Sequence, residues 1–400
     1  MQFSKAYYFW EGVFILVGII IGAGVFVLPY IGYHSGLITT FFWLIINTFI
    51  LTYLHLAFGE VVLKTKEEYR LIGYANHYLG PWARNLMLLT TFLTFSFSLL
   101  IYLLLGTQFL SSIFNYYSLK ISPNLIFIFL WLILSLITLL GEQEDISKIN
   151  FLFSFLLLIL FALIIALSLP YFNPSNLNLF PLQDSSSLNS YLKFLLPYGV
   201  IFFALNGTVG VPELISNFKK RKIPLELSKK AIIWAMVLIF LCYFSFIFVL
   251  NGAIGKNITP EAINSLSTVV GSQALLIGAL IGFLAVATSY IIFAIYIKNS
   301  FLKDIHLPLF LANLLIFLGP IGLYLLNVTN LITIISFVGG LVGGIEGLMI
   351  LLVFREIKKQ PLDFSQKEGY SLPFHRGLFI FLILALIFGV VCQIFLVPTY

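Results

Sequence analysis

The chain has 400 residues, 60% of them hydrophobic and only 10% charged, with a mean hydropathy of +1.05. A soluble domain carries about a quarter charged residues, so a water-soluble globule is excluded. The net charge of +6 comes without a basic patch interleaved with aromatics, which argues against a nucleic-acid partner. Cys242 and Cys392 both lie in apolar runs and read as small buried hydrophobes, not as a disulfide framework.

A bilayer core about 30 Å thick needs about 20 apolar residues per helix. The sequence supplies eleven such spans: 10–32, 37–62, 83–113, 124–140, 149–169, 190–217, 230–251, 271–298, 306–326, 330–354 and 376–397. Strict alternation of apolar and polar residues is missing, which disfavours an outer-membrane barrel. The expected fold is an all-α polytopic membrane protein forming one domain over 1–400. Span 1 reads as a retained helix and not as a cleaved leader, since it holds glycine and proline and no small-residue cleavage site follows.

Taken in order, span 1 carries GIIIGAGVFVLPY (18–30), with three glycines and a proline inside one apolar run. Gly18 and Gly22 make a GxxxG pair, the small-residue pattern of close helix packing. Span 3 is unusually long and places Tyr102 well inside the membrane. The acidic run 142–145 falls in a short loop and reads as solvated. Span 6 carries ALNGTVGVPEL (204–214), again interrupted by glycine and followed by proline. ITPEAINSL (258–266) predicts a short helix over the outer face, with Thr259 as N-cap and Pro260 at its first position. Span 8, as long as span 3, contains AVATSY (285–290). Span 10 carries GGLVGGIEG (339–347), which is glycine-rich without a proline and reads mainly as a close-packing face.

Orientation follows from the basic residues. With the N-terminus cytoplasmic, only Lys120, Lys193 and Lys256 of the 22 Lys and Arg fall outside. Trp10, Trp82 and Trp234 then mark cytoplasmic helix starts. An odd number of spans puts the C-terminus outside, and the cell membrane is the expected location.

Transporters are often built from inverted repeats whose broken helices meet at the bilayer midplane. Spans 1 and 6 are five apart, run in opposite directions and carry matched breaks, and spans 3 and 8 are both long. These features predict a five-plus-five inverted repeat, with repeat one over about 10–169, repeat two over about 190–354, and an added helix at 376–397. The matched break favours a deliberate interruption over packing alone. Unwound backbone in hydrocarbon must be satisfied, and a zwitterion satisfies both its N–H and its C=O groups. The N–H groups of Ala23, Gly24 and Val25 suit a carboxylate. The carbonyls near Ile20, Phe203, Ala204 and Asn206 suit an ammonium, and glycines such as Gly22 and Gly207 let a ligand approach the backbone.

GIIIGAGVFVLPY, GEVVLKTKEEYRLIGYANHYLGPW (59–82) and FFALNGTVGVPEL (202–214), in that order, resemble the amino acid–polyamine–organocation superfamily. The similarity is greatest to its amino acid/auxin permease and aromatic amino acid permease branches. The resemblance implies a symporter of neutral amino acids, aromatic ones included, working by alternating access. Its substrate would sit between spans 1 and 6, beside spans 3, 8 and 10. By analogy, the Tyr102 hydroxyl would reach the substrate carboxylate; its bland role is a bond to a neighbouring helix. Ala285, Thr288 and Ser289 match the spacing of a sodium site in sodium-coupled members, completed by carbonyls of Gly18 and Ile21. Ser and Thr also join membrane helices by hydrogen bonds. Some proton-coupled relatives place a lysine from span 5 there, and this chain has none within that span. No cofactor is implied beyond a coupling ion, Na+ or H+.

Three carboxylates lie in or beside the membrane: Glu60, Glu213 and Glu346. Each is a candidate for proton relay, or for pairing with loop arginines at an inner gate. Glu60 and Glu213 also suit a plain interfacial place, whereas Glu346 lies deeper. Enzyme chemistry finds no support, because His34, His55, His77, His306 and His375 are dispersed. A channel is disfavoured because Thr208-Val209-Gly210 continues as Val-Pro and not as a potassium filter. An exchanger without ion coupling remains the other transport reading.

Overall fold

The computed structural model describes residues 5–140, 143–181, 187–359 and 369–396, with side chains placed outside 140–154, 182–192 and 395–396. The acidic side chains at 142–145, Lys148, Lys367 and the middle of the 170–189 loop fall outside what is described. Among the described residues the chain is helical and holds no strand. Among the described residues seven helices are long and apolar enough to cross a bilayer, a bent pair makes an eighth when taken as one span, and three further apolar helices are shorter.

Span 1 forms α1 (Lys5–Ile20), a 3-10 turn over Ala23–Val27 and α2 (Leu28–Ser35). Gly22 takes φ −124° and ψ −144°, outside helical space. The two halves meet at 56°, and Pro29 sits in the first turn of α2, where its missing N–H costs nothing. α3 (Leu37–Lys64) follows. α4 (Leu71–Leu79) is a nine-residue helix within the stretch expected to be a loop between spans 2 and 3. α5 (Pro81–Tyr116) opens on its proline and runs 36 residues, about 54 Å. It is much longer than the hydrocarbon core and has to tilt or protrude. α6 (Pro123–Leu140) and α7 (Gln143–Ser168) follow.

Span 6 divides into α8 (Ser187–Leu205) and α9 (Gly210–Lys220), separated by four non-helical residues. α10 (Leu227–Ile254), α11 (Ser272–Asp304) and α12 (Leu309–Leu325) follow. α13 (Leu331–Ser336), a π-helical turn over Phe337–Val342 and α14 (Gly343–Lys359) make up span 10, and α15 (Arg376–Leu396) ends the chain. The close-packing reading of 339–347 holds. A Cβ on Gly339 would come within 2.0 Å of the Gly199 carbonyl oxygen, and one on Gly340 within 2.2 Å of Gln393. The π turn was not foreseen.

One local expectation is corrected. The short outer helix is a 3-10 segment over Ile263–Thr268, and Thr259 does not cap it. Ala262 precedes it at φ +56°. Ile263 and Leu266 are buried there, and the segment packs along α11. Burial of these apolar residues sets the start of the segment, and the local capping signal does not.

The surface is itself a finding. Leu125, Phe129 and Leu136 on α6 and Ile380, Phe381 and Leu384 on α15 are all more than half exposed. Faces this apolar and this continuous belong against lipid and not water. Trp10, Trp82 and Trp234 also stay exposed, as interfacial belt residues do.

Glu60 is fully buried in the last turns of α3. Its Oε1 pairs with Lys64 and with Lys358 of α14 at 2.5 Å, and its Oε2 accepts the Leu372 N–H at 2.7 Å. It ties α3, α14 and the segment leading into α15 into one knot. Glu60→Ala leaves two lysines facing each other beside an unpartnered N–H, at a cost of about 3 kcal/mol. Its melting temperature in detergent is expected to fall by several degrees; a variant that melts with the parent contradicts this role.

Candidate functional site

The two breaks lie face to face. A Cβ on Gly24 would meet the Cα of Ala204 at 2.8 Å, so the 3-10 turn of the first break runs directly against the end of α8. Three side chains complete the unwound backbone. The Tyr243 hydroxyl of α10 donates to the Ala204 carbonyl at 2.8 Å and lies 3.4 Å from that of Ile20, joining the two broken spans. Nε2 of His55 on α3 accepts the Gly207 N–H at 3.0 Å, which fixes this fully buried imidazole as neutral with its proton on Nδ1. Asn206 Oδ1 accepts from the backbone and hydroxyl of Thr208, at 3.2 and 2.9 Å. Sequence reasoning missed Tyr243 and His55 in this role, because neither is near a break in the chain.

Beside the breaks lies a cavity of about 220 Å³. It brings together most of the residues singled out from the sequence: Gly18, Ile20, Gly22, Ala23, Gly24, Tyr102, Phe203, Ala204, Asn206, Ser289, Glu213 and Glu346 all line it. Val25 is fully buried behind the wall. Gly207 packs against the side chain of Ile20. Ile21, Ala285 and Thr288 do not line the cavity, and Glu60 belongs to the knot described above. Down α5, Thr91, Thr94, Ser98 and Tyr102 form a polar stripe along the cavity, about 16 Å long. The Tyr102 hydroxyl would lie 3.5 Å from a Cβ on Gly22, close to the first break.

The residues of the sodium pattern are only partly assembled. Ser289 faces Gly22, with its Oγ 3.8 Å from where a Cβ would stand. The Thr288 hydroxyl turns back to its own helix, donating to Leu284 O at 2.8 Å and Ala285 O at 3.0 Å.

At one end the cavity is charged. Arg70, just before α4, pairs with Glu213 of α9 at 2.9 Å and stacks over the Tyr296 ring at 5.1 Å. The Asp304 carboxylate, at the end of α11, accepts the backbone N–H groups of Arg70 and Gly73 at 3.2 and 3.3 Å. Burial penalises the Arg70 guanidinium, but Tyr296, Glu213 and Asp304 outweigh it and hold its pKa above the ordinary value. The pairing of Glu213 with a loop arginine was an expectation from sequence; Asp304 was missed. Lys220, exposed at the end of α9, also lines this end. Beyond the cavity lining, the rest of the 3-10 turn packs into an aromatic cluster. Phe26 is fully buried, edge-on to Phe109 at 5.2 Å and stacked on Phe161 at 5.8 Å.

A family model described as the tryptophan/tyrosine permease family matches residues 5–393, nearly the whole chain. The chain belongs to the tryptophan/tyrosine permease family. It is therefore an integral membrane amino acid transporter and not an enzyme. No curated protein matched the chain in comparison. Membership in this permease family agrees with the amino acid permease resemblance read from 18–30, 59–82 and 202–214.

Proposed function

We propose that the protein is a symporter of neutral, chiefly aromatic, amino acids in the cell membrane, coupled to Na+ or H+ and working by alternating access. In this reading eleven spans form a five-plus-five inverted repeat plus α15, with the N-terminus cytoplasmic and the C-terminus outside. The observation that carries it is the cavity at two apposed helix breaks, continuous with a charged end lined by Arg70, Glu213 and Lys220. With the Arg70–Glu213 end cytoplasmic, this arrangement corresponds to an inward-facing state. The substrate carboxylate takes the N–H groups of Ala23 and Gly24, which line the cavity where the 3-10 turn opens. Its ammonium takes the carbonyl ends of α1 and α8. Phe203, Phe293 and Tyr296 line the same cavity and suit an aromatic side chain.

The test is uptake of labelled tryptophan into cells producing the protein, with each of the other amino acids as competitor. Tyrosine and phenylalanine are expected to compete strongly, and lysine and glutamate not at all. Competition by the charged amino acids, or none by the aromatic ones, refutes the substrate reading.

Tyr243 offers a second test. Its hydroxyl occupies the same carbonyls that the ammonium takes. Tyr243→Phe leaves a buried acceptor short of a donor, at a cost of about 1–3 kcal/mol. The ligand-free variant is expected to melt below the parent, and saturating tryptophan is expected to restore more stability to it than to the parent. Equal ligand-induced shifts contradict the exchange of hydroxyl for ammonium.

A further inference from the structure

Three other carboxylates in or beside the membrane each have a cation next to them. Glu60 has Lys64 and Lys358, and Glu213 has Arg70. Asp304 has two backbone N–H groups with Arg70 beside them. Glu346 differs. It is only 8% exposed and lines the cavity from the first turn of α14, just past the π turn. Its partners are the Thr94 hydroxyl, which donates to Oε1 at 2.9 Å, and the Asn206 side chain. Among the described residues no Lys, Arg or His pairs with it. An ionised carboxylate left without a counter-charge inside a membrane bundle costs several kcal/mol. A mobile cation has to balance it for part of the working cycle.

The neighbours identify that cation. Thr94 offers a hydrogen, and the Asn206 oxygen is already taken by Thr208, so Asn206 offers its amide hydrogens. A metal cation needs several acceptor oxygens turned towards it, and these two groups are turned the other way. A proton needs only the carboxylate itself. The packed elements supply no competing charge. From α3 comes His55, whose Nε2 is held by Gly207; from α4, Tyr74, edge-on to Tyr69 and Phe58; from α5, Tyr102. α15 has no acidic or basic residue after Arg376. Arg70, Glu213 and Lys220 line the far, charged end of the cavity.

We propose that Glu346 binds the co-transported proton, and that Asn206 carries its protonation state to the second helix break. The proposal rests on the amino acid permease reading of the same site. A proton from the medium converts the carboxylate to the acid when substrate enters, and it leaves by the charged mouth after the substrate. Asn206 is the first residue of the break and touches Glu346 on one side and Thr208 on the other. The position of the proton and the shape of the substrate site are therefore set by one side chain.

The experiment is calorimetry of L-tryptophan binding to the purified full-length protein, in buffers of different ionisation enthalpy and over a range of pH. The wild type is expected to take up about one proton per tryptophan above the pH at which Glu346 ionises. Glu346→Gln is expected to take up none, and Glu346→Asp to keep the uptake. Thr94→Val removes a donor to the charged form, so the pH midpoint of uptake moves upward. Proton uptake that survives in Glu346→Gln, a midpoint unmoved in Thr94→Val, or wild-type binding that requires sodium and takes up no proton overturns the proposal while leaving the permease reading intact. A folded wild type that binds no amino acid overturns the permease reading as well.

Discussion

Gly24→Ala is expected to lower transport by about tenfold or more while the bundle still inserts and folds. The added methyl would stand 2.8 Å from the Ala204 Cα, 2.9 Å from its Cβ and 3.0 Å from Phe203 Cδ1. Two of those atoms belong to Ala204 itself and cannot swing aside as a long side chain would. The 3-10 turn and the end of α8 have to separate, and both the Ala204 carbonyl and its bond to Tyr243 move with them. Core overpacking costs about 1–3 kcal/mol, and here the strain falls on the two segments that hold the substrate. Gly22→Ala is a useful contrast, since its methyl would meet ordinary contacts at 3.5 Å or more. Gly322→Ala on α12, with nothing within 4 Å, is expected to transport like the parent. Initial uptake rates at equal surface expression measure all three. Parental rates in Gly24→Ala contradict the apposed-break geometry.

The second large effect is at Arg70. Arg70→Ala removes the cation shared by Glu213 and Asp304 and the group stacked on Tyr296. The Arg70 guanidinium is mostly shielded and Glu213 is about one-third exposed, so the pair alone contributes little to folding stability. Its expected effect is on the conformational cycle. Without Arg70 the charged mouth loses the link between the loop before α4, α9 and α11, and concentrative uptake is expected to fall by about tenfold. Arg70→Lys is not expected to restore it, because an ammonium lacks the planar guanidinium that stacks on Tyr296 while donating to Glu213. Full uptake by Arg70→Lys contradicts the geometric part of this argument; full uptake by Arg70→Ala contradicts all of it.

Much of this site was legible from residue type alone. Glycine and proline inside apolar runs mark places where a membrane helix cannot continue, and the breaks at Gly22 and at 206–209 fall where those residues stand. Long apolar runs bounded by basic residues gave the helices. What escaped depends on tertiary juxtaposition. Tyr243 and His55 sit in unremarkable stretches of α10 and α3, and only packing aims them at the breaks. Asp304 lies at a helix end where a carboxylate reads as solvated, yet it holds the start of α4. The π turn at 337–342 follows from close approach to Gly199 and Gln393, which no local pattern records. In the sodium pattern, Ser289 faces Gly22 while the Thr288 hydroxyl donates within its own helix, an arrangement that the spacing of 285, 288 and 289 does not record.

The central claim is that an aromatic amino acid is carried at the apposed breaks. It is tested most directly by counterflow in liposomes containing only this protein, preloaded with unlabelled tryptophan and given labelled tryptophan outside. The account predicts a transient, saturable overshoot of label in the parent and its loss in Gly24→Ala. No overshoot with any aromatic amino acid, or an undiminished one in Gly24→Ala, contradicts it.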